Sequence, residues 1–204
     1  MYCGVPAITL LRVIDSATDN RNQIRLLHRV ASSKTCYVLH NDLDLIFTLV
    51  RHLQQTIRCV QLADETERLR VGIALEEALL NAFYHGNLEI DPELRATDIE
   101  AHSKLVDRRC QEEPYCGRRI FIDVYLTRTE AKYIVRDEGP GFDVSSIRDP
   151  KELTQLENPT GRGVLLMRTF MDELKFNELG NEVTMIKRSV SPEELEDLDV
   201  TQTE

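Results

Sequence analysis

The hydrophobic period changes part-way along the chain, and that change limits the fold more than any other feature. From about residue 41 to about residue 84 the apolar residues recur at helical spacing. Leu45, Ile46, Leu49, Val50, Leu53 and Ile57 predict a helix that begins near Asn41 or Asp42. Asp64 followed by Glu67 resembles a capping box, and the helix it opens should run to about Tyr84 and stop at His85-Gly86-Asn87. Beyond residue 119 the period becomes two. Ile120, Ile122, Val124 and Leu126 alternate, so one face of a strand is apolar, and residues 132–136 read as its partner. A short strand is expected at 35–40. Another helix is expected at 161–173, with Leu165, Leu166, Met167, Phe170 and Met171 on its apolar face. Residues 174–177 and 182–187 form a hairpin across 178–181. Helices followed by hairpin-linked strands predict an α+β fold, a two-layer sandwich whose mixed, mostly antiparallel sheet is covered by helices on one face.

The rest of the chain carries weaker signals. Residues 1–35 have no clear period, with a short helix the best reading of 20–31. Residues 88–117 are polar, punctuated by Pro92 and Pro114, with one helix expected between. Residues 143–160 read as a loop with one helical turn, and the segment after Arg188 as a frayed tail or weak helix. We therefore divide the chain into an extension (1–35), a domain (36–188) with a polar insertion at 88–118, and an acidic tail (189–204). Lys plus Arg number 25 against 35 Asp plus Glu, a formal charge of −10, and six of those negative charges lie in 191–204. The remainder still has no basic excess, which disfavours duplex DNA and polybasic membrane attachment. No stretch approaches the roughly 20 apolar residues of a membrane span. The apolar run at 5–14 is broken by Arg12, so no secretory leader is expected. The five cysteines are odd in number and scattered, with no CxxC or Cys/His cluster, as expected of free thiols in a cytoplasmic protein.

Three segments could carry chemistry. Glu77, Asn81 and His85 are spaced i, i+4, i+8 and share one stripe of the helix, while Ile73, Ala74, Ala78, Leu79 and Ala82 are offered to the core. A carboxylate one turn from an amide can place a base beside a metal-held phosphate, because the Asn oxygen is a hard ligand for Mg²⁺. The plain alternative is a solvated helix face. Asp137-Glu-Gly139-Pro-Gly141 sits at a strand end, where glycines let backbone approach a flat ligand beside a carboxylate that can accept from an amine. Its alternative is an ordinary acidic turn. Gly161-Arg162-Gly163 opens a helix, whose free N–H groups favour phosphate; otherwise it is a glycine-rich cap. There is no GxxxxGK[ST], and no GxGxxG follows a first strand.

In this order, the three segments resemble the motifs of the GHKL superfamily of ATP-binding domains, with its Bergerat fold. Glu77 and Asn81 resemble the N-box, Asp137-x-Gly139-x-Gly141 the G1 box, and Gly161-x-Gly163 the G2 box. Residues 161–187 are similar to the bacterial anti-sigma-factor serine-kinase branch. The resemblance implies that Asn81 coordinates Mg²⁺ and that Glu77 is the general base on a serine hydroxyl, or orients it. It implies that Asp137 accepts from the adenine amine, with Gly139 and Gly141 letting the ring pack close. Gly161, Arg162 and Gly163 would hold phosphates, Thr184 would reach adenine directly or through a water, and 143–160 would form the lid. His85 would lie near the ribose or phosphates, or simply cap its helix. The implied activity is an ATP- and Mg²⁺-dependent protein serine kinase that phosphorylates a small anti-sigma-factor antagonist and sequesters a sigma factor. A homodimer through the 36–40 edge strand is also expected. The alternatives are a nucleotide-gated binding module without phosphotransfer and a histidine-kinase ATPase domain. Against the latter, neither His28 nor His40 is followed by the acidic residue of a phospho-accepting pair.

Overall fold

The alternating segment becomes one of the inner strands of a five-stranded sheet. A computed structural model describes residues 29, 31–60, 62–146 and 162–189. Strands β1 (Ser32–Leu39), β2 (Ile120–Thr127), β3 (Glu130–Arg136), β4 (Glu173–Phe176) and β5 (Glu182–Arg188) lie in the order β1-β2-β3-β5-β4. Every pairing between them is antiparallel. The helices are α1 (Leu43–Val60), α2 (Glu65–Asn81), α3 (Pro92–Thr97), α4 (Ile99–Arg109) and α5 (Arg162–Phe170), with a π-helical turn at Ala82–Asn87. The short helix expected at 20–31, most of the lid and the acidic tail lie outside the described residues, apart from a 3₁₀ turn at Val144–Ser146. Among the described residues no helix is long and apolar enough to cross a membrane, and Cys36, Cys110 and Cys116 are free thiols.

Register explains the core. Val124 pairs with Tyr133 and Tyr133 with Met185, while Ile122 pairs with Val135 and Val135 with Val183. These residues are all buried and share one face of the sheet. Against that face lies α2, flanked by α1 and α5. Val71, Ala74, Leu75, Ala78 and Leu79 of α2 are all buried. Ile73, expected with them, is instead 42% exposed, because it lies outside that buried stripe. Asp42 starts α1 by accepting the Leu45 N–H (3.1 Å). Asp64 caps α2 by accepting the Glu67 N–H (2.8 Å), but the Glu67 carboxylate does not complete the capping box.

Three boundaries differ from expectation. β1 begins at Ser32, inside the expected extension, because it pairs with β2 as far as Thr127. The polar insertion holds two helices, α3 and α4, each opened by an aspartate cap (Asp91 and Asp98). Helix α5 stops at Phe170, because Glu173 is already paired with Ile186 in the β4–β5 hairpin.

Lys187 is a charged residue on the apolar face, opposite Ala131 of β3. Only 12% exposed, its ammonium meets the Glu67 carboxylate of α2 (2.5 Å) and Asp172 (3.3 Å), and so ties the last strand to the central helix. Removing Lys187 takes away one of two cations on the Glu67 carboxylate, leaving Arg70 as the other. Lys187→Ala should therefore cost about 2 kcal/mol of stability in denaturant titration. The double variant Lys187→Met/Glu67→Gln should recover most of that loss.

Candidate functional site

Helix α2 carries Glu77 and Asn81 one turn apart at the end of its buried stretch, and the first turn of α5 closes on them. A Cβ at Gly163 would stand 2.6 Å from Glu77 Oε2 and 3.4 Å from Asn81 Nδ2, so a side chain there would push the Glu77 carboxylate aside. Arg162, the first residue of α5, is exposed, and its charge reaches Glu77. Desolvation, aided by the neighbouring Glu76, pushes the Glu77 carboxyl above the usual carboxylate range, while Arg162 and Arg95 of α3 pull against it. Glu77 is thus a half-buried carboxylate within reach of two guanidinium charges.

Past Asn81 the helix widens. The Leu88 N–H bonds back five residues to Phe83 O (3.0 Å), and the Ile90 N–H bonds to Tyr84 O (2.7 Å). His85 Nδ1 lies 2.7 Å from Ile90 O. A carbonyl only accepts, so Nδ1 carries the proton and holds the turn together. The wide turn also brings Gly86 against the end of β3. A Cβ at Gly86 would lie 2.3 Å from Asp137 Cγ, and one at Gly139 would lie 2.2 Å from the Gly86 carbonyl oxygen.

Asp137 is therefore nearly enclosed, at 9% exposed. Its Oδ1 accepts the Gly139 N–H (2.8 Å). Its backbone is clamped to the start of β5, the Asp137 N–H donating to Asn181 O (3.0 Å) and Asn181 Nδ2 to Asp137 O (3.1 Å). Desolvation pushes its carboxyl up to about 6, against the hydrogen bond from Gly139 and the charge of Arg118. A buried carboxylate at a glycine-lined strand end can accept from an amine on a flat ligand. A half-buried base faces a helix start one layer away, where phosphate would be favoured.

The family model of the histidine kinase-like ATPase domain matches residues 39–187, well over half of the chain. The chain belongs to this family. No curated protein matches it.

Within this histidine kinase-like ATPase domain, Glu77, Asn81, Arg162 and Gly163 come together at one end, and His85, Asp137 and Gly139 around the widened turn. Gly141 has φ +75° and is pressed on the β4–β5 turn, where a Cβ would stand 1.9 Å from Leu179 O. Its place is set by that backbone contact. Gly161 lies outside the described residues. Thr184 is not brought to the site. It pairs with Ile134 and Lys175, so its side chain is on the sheet face opposite to buried Val183 and Met185. Asn181, three residues earlier and just before β5, is the residue that touches Asp137. Among the described residues no group of three His, Cys, Asp or Glu side chains could hold a metal ion alone. Beside Gly163 stand one carboxylate, Glu77, and one side-chain amide, Asn81.

Sequence reading also missed Arg95, Asn87, Arg118 and Asn181. Asn87 follows His85-Gly86 directly and Asn181 follows Gly180, so both adjoin recognisable signals. The arginines lie in the insertion, where no period marks them.

The raised carboxyl of Asp137 predicts a stability effect. Below its ordinary value of 3.8 the group is protonated in both folded and unfolded chains and contributes nothing. Between that value and about 6 the unfolded chain ionises first, so the fold loses stability as pH rises. Asp137→Asn should therefore raise stability by about 3 kcal/mol at pH 7.5 and by almost nothing near pH 3, as read by denaturant titration across pH.

Proposed function

We propose that this domain is an ATP- and Mg²⁺-dependent protein serine kinase, which phosphorylates a small anti-sigma-factor antagonist and sequesters a sigma factor. The observation that carries this reading is the approach of Gly163 to Glu77 and Asn81, with the raised carboxyl of Glu77 in the field of Arg162 and Arg95. A carboxylate with a raised pKa is a better proton acceptor, and two guanidinium charges acting on it suit a reaction in which phosphate oxygens carry the charge.

The residues divide the work by place. Asp137 accepts from the adenine amine. The close contact of Gly139 with Gly86 keeps the floor beneath the ring flat, because any side chain there would fill it. Arg162 and the N–H groups at the start of α5 hold the phosphates. Asn81 offers its carbonyl oxygen to Mg²⁺, which when bound neutralises the phosphate oxygens. Glu77 takes the proton from the serine hydroxyl as that oxygen bonds to the terminal phosphorus and the bond to the ADP oxygen breaks. Arg95 is placed to offset charge on the same side. Pairing of two chains through the outer edge of β1 belongs to the same proposal, since among the described residues β1 is paired only to β2.

Glu77→Ala should keep the ATP dissociation constant within a few fold while abolishing phosphate transfer to a serine-bearing antagonist. Calorimetry and transfer of labelled phosphate would check this. Loss of binding would instead make Glu77 a ligand holder. Wild-type transfer should fall on the acid side at a pH above that of an ordinary glutamate.

A further inference from the structure

Below Asp137 the chain is held by a network that the nucleotide reading does not use. Asn87 is fully buried. Its Nδ2 donates to Asn41 Oδ1 (2.8 Å), and its Oδ1 accepts the N–H of Glu138, the residue after Asp137 (3.0 Å). Asn41 in turn donates to Tyr115 O (2.9 Å). Three successive carbonyls are gripped by guanidinium groups. Arg118 donates to Asn87 O (2.8 Å), and Arg109 donates to Leu88 O and to Glu89 O (2.6 Å). Glu89 stands at φ +49°, and its carboxylate pairs with Arg118 (2.7 Å). Arg118 and Arg109 both lie over the Tyr115 ring, 5.2 and 4.6 Å from its centroid.

We propose that Arg118 is a positioning residue for Asp137. It acts through Asn87 on the backbone that carries the carboxylate and through its own charge on the carboxylate itself. This rests on the reading of Asp137 as the group that accepts from adenine. The polar insertion is then part of the nucleotide site, because its exit supplies the cation that keeps a buried carboxylate ionised. Desolvation alone pushes the Asp137 carboxyl up, and Arg118 pulls it back. The groups that face or adjoin Asp137 are Arg118 from the insertion, Glu89 paired with it, Glu138 on the same loop, and His85 and Gly86 on the widened turn. Glu89 tunes the effect, since its negative charge offsets part of Arg118.

The test follows the Asp137 carboxyl by carbon NMR across pH, assigned by its absence in Asp137→Asn, with Mg·ATP affinity measured over the same range. In Arg118→Met the midpoint should rise by about one pH unit, and the acid limb of ATP binding should rise with it. In Glu89→Gln, which leaves Arg118 unopposed, both should move to lower pH. A merely structural role for Arg118 would lower stability and leave both midpoints in place, and unmoved midpoints in both variants overturn the proposal. If Arg118→Met does not fold, Glu89→Gln decides alone by the direction of its shift. Should the wild type bind no ATP at any pH, the nucleotide reading falls, whereas the NMR midpoints still judge the link between Arg118 and Asp137.

Discussion

Much of this molecule depends on two pieces of backbone lying closer than side chains would allow. The end of the central helix, at Gly86, and the end of β3, at Asp137 and Gly139, approach until any Cβ would collide. The helix can reach that point because it widens into a π-turn, which swings residues 82–87 away from the path a regular helix would follow. Once the turn is there, the carboxylate of Asp137 is shut off from water, and a flat surface of peptide lies beside it. The hydrophobic layer beneath, from Val124 and Tyr133 to Leu75 and Leu79, holds helix and strand at this separation.

That arrangement has a price in stability. An aspartate at 9% exposure stays ionised only against its own desolvation. The fold offsets the loss with a backbone N–H on Oδ1, with Asn181 on the main chain, and with a guanidinium held nearby by Asn87 and Glu89. Glu77 has the same problem in a milder form, half-buried and eased by the charges of Arg162 and Arg95. Desolvation pushes both carboxyls upward, and carboxyls perturbed in this way are enriched at functional sites.

Much of the fold was legible because local pattern and tertiary demand agree. The alternation at 120–126 and the helical spacing at 45–57 each match one buried face, so periodicity finds them. The β4–β5 hairpin is equally legible, since Gly180 at φ +79° marks its turn. The motifs around Glu77, Asp137 and Gly163 were legible as chemistry because glycine next to a carboxylate is a local signal. Other parts were hidden for physical reasons. Thr184 looked right by type, but strand parity puts it on the far face, and only register reveals parity. Ile73 is apolar yet exposed, because the buried stripe of α2 is narrower than its apolar content. Arg95, Arg109 and Arg118 act across more than a dozen residues of sequence, from an insertion whose polar composition carries no period.

The account stands most directly on one measurement: calorimetric titration of the wild-type protein with ATP and with GTP, each with Mg²⁺ and with EDTA. The account predicts that ATP binds, more tightly with Mg²⁺, and that GTP, which lacks the amine Asp137 would accept from, binds far more weakly. Equal binding of both nucleotides, or of neither, would contradict it.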